Sequence, residues 1–177
     1  YKVVTVNASP VISGSSTMCL GTTMTLTATP SGGTWSSSST AIATVTSAGV
    51  VVGASAGVVN IYYTVGGCST YHTVTVNAGA AITGSSTVCV GSSITLSATP
   101  SGGTWSTSIS STATVSSTGV VTGVTAGMTT ISYTSVSGCS MIRVVTVNPI
   151  PVAISGPPKV CIGTTITLSD STAGGAW

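Results

Sequence analysis

The chain has 177 residues, 42% of them hydrophobic and 2% charged, with three Lys or Arg, one acidic residue, one His and no Phe. A formal charge of +2 is too weak to recruit nucleic acid or a membrane surface, and no apolar run of about 18 residues is present to cross a bilayer as a helix. Disorder pairs low hydrophobicity with high charge; this composition reverses both, so a folded chain is expected. Serine and threonine supply 65 of the 177 residues, and with abundant Val, Ile and Gly they favour strands over helices.

The first element, Lys2–Asn7, reads as a lone closing strand ending in Val-Thr-Val-Asn, and that tetrapeptide returns at Val74–Asn77 and Val145–Asn148. Cys19–Trp35 ("CLGTTMTLTATPSGGTW") returns as Cys89–Trp105 and again as Cys161–Trp177. A period of about 70 residues is too long for a solenoid turn and fits one small all-β domain in a tandem array. The expected division is residues 1–9 as the final strand of a preceding repeat, 10–78 as repeat 1, 79–149 as repeat 2, and 150–177 as an incomplete repeat 3.

Within repeat 1, Thr22–Ala28 alternates, with Met24, Leu26 and Ala28 on one face, which predicts a half-buried strand. Pro30-Ser31-Gly32-Gly33 turns the chain, and Trp35 opens the next strand. Ala41–Val45 and Gly49–Gly53 follow, then an Ala56-Gly57 turn. Val59, Ile61 and Tyr63 alternate inward on a further strand, and Val74 and Val76 line the last. Seven or so short strands with Gly-rich turns and no helical period predict a β-sandwich. Trp35 and Trp105, with Tyr63 and Tyr133, are expected as core aromatics; the alternative for the tryptophans is ligand binding. The joints Val76–Ala80 and Val147–Pro151 are short, and Pro149 and Pro151 restrict the second, so a stiff array is expected.

The five cysteines are Cys19, Cys68, Cys89, Cys139 and Cys161. The repeat makes Cys19–Cys68 and Cys89–Cys139 the natural pairs, with the partner of Cys161 absent. Such a framework in a weakly charged, hydroxyl-rich chain indicates an extracellular compartment. Free buried cysteines and zinc ligation are the alternatives, the latter disfavoured by the lack of any C-x-x-C or His partner. Cys19 precedes the strand Thr22–Ala28, so the staple is expected near one end of the sandwich rather than across its middle.

Two segments, "STAIATVTSAGVVVGASAGVVNIYYT" (Ser39–Thr64) and "STATVSSTGVVTGVTAGMTTISYT" (Ser111–Thr134), resemble the bacterial Ig-like, group 2 family, with its A-T-V, G-x-V-x-G, A-G, T-I-x-Y progression. The cysteine pair departs from the commonest form and resembles the disulfide-bearing variant in very large surface proteins of Bacteroidota. The resemblance implies tandem immunoglobulin-like sandwiches, a cell-surface location, and a repetitive structural or adhesive role without catalytic residues.

Other chemistry finds little material. Asp170 is the one carboxylate side chain, so a paired-carboxylate mechanism lacks its second member. A Ser-His-Asp triad would need His72 and Asp170 from different repeats, and a calcium site lacks carboxylates. No metal or cofactor is expected. Lys2, His72 and Arg143 occupy one position of the Val-Thr-Val-Asn strand. They read either as a cation presented once per repeat to a neighbouring subunit or glycan, or as a gatekeeper against wrong strand pairing. Solvent-facing Thr is good strand material; the sharper reading of the hydroxyl content is glycosylation. Asp170-Ser171-Thr172 resembles an O-glycosylation motif of Bacteroidota, with Ser171 or Thr172 as acceptor, and Asn7-Ala8-Ser9 fits the N-linked pattern formally.

The expected function is a structural repeat protein of a bacterial extracellular fibre, stalk or pilus-like filament, with copies of itself as partners. Assembly by strand donation through Lys2–Asn7 competes with the simpler reading of a section through a longer array. A tandem adhesin for glycans or a cell surface is the alternative function. Tyr62 and Tyr71 would be its aromatics, but their counterparts in repeat 2 are Ser132 and Ile142, which favours the structural reading.

Overall fold

A computed structural model describes residues 1–171 and contains strands and turns but no helix among them. In chain order the first sandwich comprises β1 (Val11–Ser13), β2 (Thr17–Cys19), β3 (Thr23–Thr25), β4 (Thr27–Thr29), β5 (Thr34–Ser37), β6 (Ala43–Val45), β7 (Val50–Gly53), β8 (Gly57–Val65) and β9 (Cys68–Asn77). The second repeats them as β10 (Ala81–Thr83), β11 (Thr87–Cys89), β12 (Ser93–Thr95), β13 (Ser97–Thr99), β14 (Thr104–Thr107), β15 (Ala113–Val115), β16 (Val120–Gly123), β17 (Gly127–Thr134) and β18 (Ser140–Asn148).

One layer of the first sandwich is β2-β9-β8-β5, and the other contains β3-β7-β6 together with the pair β1-β4. The second sandwich has the same order in β11-β18-β17-β14, β12-β16-β15 and β10-β13. β2 runs parallel to β9, and β11 to β18, while the remaining strand pairs are antiparallel. The hairpin β8–β9 turns on Gly66 and Gly67, both at left-handed φ (56° and 82°), the backbone that a tight two-residue hairpin demands and glycine supplies without strain.

The period-two alternation decides what is inside. Val59, Ile61 and Tyr63 of β8 and Val74 and Val76 of β9 are buried, joined by Met18, Leu26, Ala43 and Val51. Val88, Leu96, Ala113, Val121, Ile131, Val145 and Val147 form the second core. Thr129 stands where repeat 1 has Val59, and its buried hydroxyl is satisfied by Thr107 Oγ1 (3.0 Å), Ser108 Oγ (3.2 Å) and the Ile109 N–H (3.2 Å).

One sequence expectation is corrected. Thr22–Ala28 is two strands rather than one: β3 pairs with β7, and β4 with β1. The break falls at Leu26, whose N–H donates to the Gly49 carbonyl (2.9 Å) while its side chain is 1% exposed. The apolar alternation persists across this break because β3 and β4 both face one core. Lys2–Asn7, expected as a strand, joins no ladder with the rest of the described chain, and Val3, Val4 and Val6 are exposed. A strand requires a neighbouring edge, and β1–β18 offer this segment none that it takes. Residues 150–171 show a single isolated bridge, Ser155 to Ser169.

Candidate functional site

Three features recur in both sandwiches: an aromatic clasp beneath an open hollow, a basic side chain on the last strand, and cysteines near the joint. The clasp begins with Tyr63, whose hydroxyl accepts from Gly33 N–H (2.7 Å) and donates to the Pro30 carbonyl (2.9 Å). Tyr133 repeats this with Gly103 (2.7 Å) and Pro100 (2.6 Å). The rings of Trp35 and Tyr63 lie 4.7 Å apart, those of Trp105 and Tyr133 4.8 Å apart, both tilted at 55°, a favourable aromatic arrangement. Tyr63 and Tyr133 are buried at 3% and 2% exposure, whereas the tryptophans are half-buried against the cores.

Gly33 cannot carry a side chain: a Cβ there would lie 2.5 Å from Tyr63 Cζ and from the Thr64 carbonyl oxygen. Each Gly-Gly turn is thus pressed onto its tyrosine. Open hollows of about 380 and 330 Å³ lie over the two clasps, lined by the tryptophan, the turn and serine hydroxyls, without a charged side chain among the lining residues. Tyr63→Phe should leave a glycine N–H and a proline carbonyl without their partner and cost about 1–3 kcal/mol. Tyr133→Phe should cost about the same, and the double variant their approximate sum, since the sites lie in separate sandwiches; urea midpoints measure this.

His72 and Arg143 turn toward their own chain. His72 Nε2 lies 3.1 Å from Ser16 Oγ and 3.2 Å from the Ser15 carbonyl. Arg143 donates to the carbonyls of Ile82 (3.3 Å) and Gly84, while its Nε is buried without a partner. Each basic side chain therefore ties the last strand to the first strand of its own sandwich or the turn that follows it. Both side chains are half-buried, so this tie takes part of each and leaves the rest of its surface to solvent or a neighbour. Lys2 is exposed. Arg143→Ala, which strips two carbonyls of a charged donor, should lower stability by about 1–3 kcal/mol, read as a shift in thermal midpoint that His72→Ala matches only in part.

The cysteine pairing is the largest correction. Cys19 is bonded to Cys139, 120 positions on in the sequence, with Cα atoms 5.7 Å apart, while Cys68, Cys89 and Cys161 are free thiols. The bond joins β2 of the first sandwich to the β17–β18 hairpin of the second. The expected Cys19–Cys68 and Cys89–Cys139 pairs fail on topology. Cys19 is in register with Asn77, the last residue of β9, whereas Cys68 is the first residue of that same ten-residue strand. At about 3.3 Å per residue the two are at opposite ends of one sandwich, beyond any disulfide span.

Outer faces differ between repeats. The rings of Tyr62 and Tyr71 lie 5.7 Å apart, tilted at 55°, on the first sandwich, with Tyr71 58% exposed. The second instead exposes Met128, Ile142 and Val144, an apolar strip whose signal in the sequence is apolar residues at the outward positions of β17 and β18. Ser171 is exposed, while Thr172 and Trp177 lie outside the described residues. Among the described residues no cluster of three or more His, Cys, Asp or Glu gathers, and no helix is long and apolar enough to cross a membrane.

No protein-family profile and no curated protein sequence matches the chain. Its fold is shared with solved structures. Invasin, a bacterial integrin-binding protein, aligns at TM-score 0.52 and 17% identity over 79% of this chain and 38% of that one. A 282-residue C-terminal fragment of intimin, solved with the intimin-binding domain of its translocated receptor, aligns at TM-score 0.48 and 17% identity over 67% and 53%. The S-layer protein SbsC aligns at TM-score 0.34 and 20% identity over 84% and 32%. The chain spans about half or less of each of these proteins. The likeness to invasin establishes tandem immunoglobulin-like β-sandwiches as the fold.

Proposed function

We propose that this chain is part of an extracellular structural array on a bacterial surface, a fibre, stalk or pilus-like filament built from immunoglobulin-like repeats. The resemblance to the group 2 bacterial family belongs to the same proposal, as does the division at residues 1–9, 10–78, 79–149 and 150–177. The observation that carries the reading is the Cys19–Cys139 bond. It is placed between sandwiches, where it holds a joint rather than a core, and a held joint serves a load-bearing or length-spanning array. Disulfide chemistry also suits an oxidising, extracytoplasmic compartment. A surface with 2% charged residues offers little repulsion against association with copies of itself. The exposed Val3, Val4 and Val6 leave strand donation as a route between copies, and exposed Ser171 leaves an O-linked glycan as a modification.

Electron microscopy of native material tests the proposal. Continuous filaments with a repeat matching the sandwich length are expected; separate monodisperse particles would overturn it. The second reading, an adhesin for a glycan or cell surface, is favoured by the Tyr62–Tyr71 pair with its exposed Tyr71, which repeat 2 lacks. Loss of cell or glycan binding in Tyr71→Ala, with filaments intact, would shift the assignment toward it. Nothing in either reading assigns a catalytic residue, metal or cofactor.

A further inference from the structure

The free thiols are not equivalent to one another. Cys19 and Cys89 end β2 and β11 and are strand cysteines, each following a Thr-Met or Thr-Val pair and preceding x-Gly, a setting that Cys161 shares in the sequence. Cys68 and Cys139 are hairpin cysteines: Ser69 faces Thr64 across β8–β9 as Ser140 faces Thr134 across β17–β18, and each cysteine immediately precedes that serine. The one formed bond joins a strand cysteine of one sandwich to the hairpin cysteine of the next.

The strand cysteines also share a fixed neighbour. Cys19 is in register with Asn77, and Cys89 with Asn148; the Leu20 and Val90 N–H groups donate to those two asparagine carbonyls at 2.9 Å each. Asn7 is the third asparagine of the series. It lies against the hairpin of the first sandwich, its side-chain amide donating to the Gly66 carbonyl (2.6 Å) and its own carbonyl 3.9 Å from Cys68 Sγ. A strand cysteine paired to Asn7 as Cys19 is paired to Asn77 therefore stands at Cys68 as Cys19 stands at Cys139.

We infer that Cys68 and Cys89 are the two halves of further inter-repeat disulfides. Cys68 bonds the strand cysteine of a repeat that pairs with Val4–Asn7, and Cys89 bonds the hairpin cysteine of a repeat that follows Asn148. The partner is thus a sandwich of this same type, on the same polypeptide or on another copy, and each joint is closed by one covalent link. The inference rests on the Cys19–Cys139 geometry and is independent of whether the array is a filament or an adhesin. Closure removes a proton and an electron from each of two thiols and forms one S–S bond. A disulfide-bearing oxidoreductase takes up both electrons and both protons, its own S–S bond becoming two thiols.

Disulfide mapping of native material provides the test. Free thiols are alkylated in denaturant without reductant, and the protein is digested with pepsin because three Lys or Arg give trypsin few sites. Most of the Cys68 peptide is expected linked to a peptide carrying a cysteine followed by x-Gly, and most of the Cys89 peptide to one carrying a hairpin cysteine followed by Ser. A non-reducing gel separates the two sources: a link between copies gives multiples of the chain mass that collapse on reduction, while a link within one polypeptide leaves the mass unchanged. Recovery of Cys68 and Cys89 as alkylated thiols, or linked to Cys19 or Cys139, or linked to each other in a chain of unchanged mass, overturns the inference. Loss of filaments in microscopy would leave this result untouched, so the two proposals fail separately.

Discussion

Cleavage of the first joint should leave the two sandwiches covalently attached until a reductant is added. With a protease site placed after Ala78, the cut chain should run at full mass on a non-reducing gel and fall into two fragments only with dithiothreitol, because Cys19 and Cys139 lie on opposite sides of the cut. Pairing within each repeat would release two fragments without reductant, so the gel separates the two connectivities outright. The energetic counterpart is large. A closed loop of 120 residues restricts the unfolded chain by about 4–5 kcal/mol in the chain-entropy treatment. Cys139→Ser should lower unfolding stability by up to that amount and remove the reductant-sensitive link between the two sandwiches. Each sandwich should keep its strands, since both cores are assembled without the bond. Circular dichroism before and after reduction should therefore overlay at low temperature and diverge only in the melting transition.

The contrast between what the sequence revealed and what it concealed follows from the kind of information each feature carries. Inward positions such as Val59, Ile61, Tyr63, Val74 and Val76 are encoded locally, by alternation along one strand, and alternation survives any arrangement of neighbours. The sandwich and its repetition were legible for that reason. Leu26 marks the first limit. The apolar period does not change where the chain leaves one strand pair for another, so Thr22–Ala28 reads as a single strand although its two halves bond to different partners. The cysteines mark the second. A tandem repeat supplies the same two cysteines in every copy, and spacing cannot distinguish a pair within a copy from a pair one copy onward. That difference depends on which end of β9 carries Cys68 and which end meets Cys19. His72 and Arg143 mark the third: each shares the core-side face of its strand with the buried Val74 or Val145, and only the placing of the β1–β2 and β10–β11 segments supplies the polar partners it takes there.

Leu26→Ala should be the most damaging single change in the first sandwich. The side chain is 1% exposed and belongs to the core that includes Val51, Ile61 and Val74. It also sits at the crossover where β3 gives way to β4, anchored by its N–H to the Gly49 carbonyl. Gly14 leaves it no slack: a Cβ on that residue would lie 2.5 Å from Leu26 Cδ2, so the leucine fills its space up to the neighbouring backbone. Truncation removes the buried methyl groups and leaves a cavity that two strands bonded to different neighbours cannot readily close. The expected cost is about 3–5 kcal/mol, a large fraction of what a domain of this size holds. Hydrogen exchange localises the effect. Amides of β8 and β9 should lose about 10²–10⁴-fold protection, the same free energy converted at about 1.4 kcal/mol per tenfold, while β17 and β18 keep theirs. Leu96→Ala, 1% exposed at the equivalent crossover of the second sandwich, should reverse the pattern. Equal loss in both sandwiches from either substitution would mean that the two cores unfold as one cooperative unit, with the Cys19–Cys139 joint transmitting the damage.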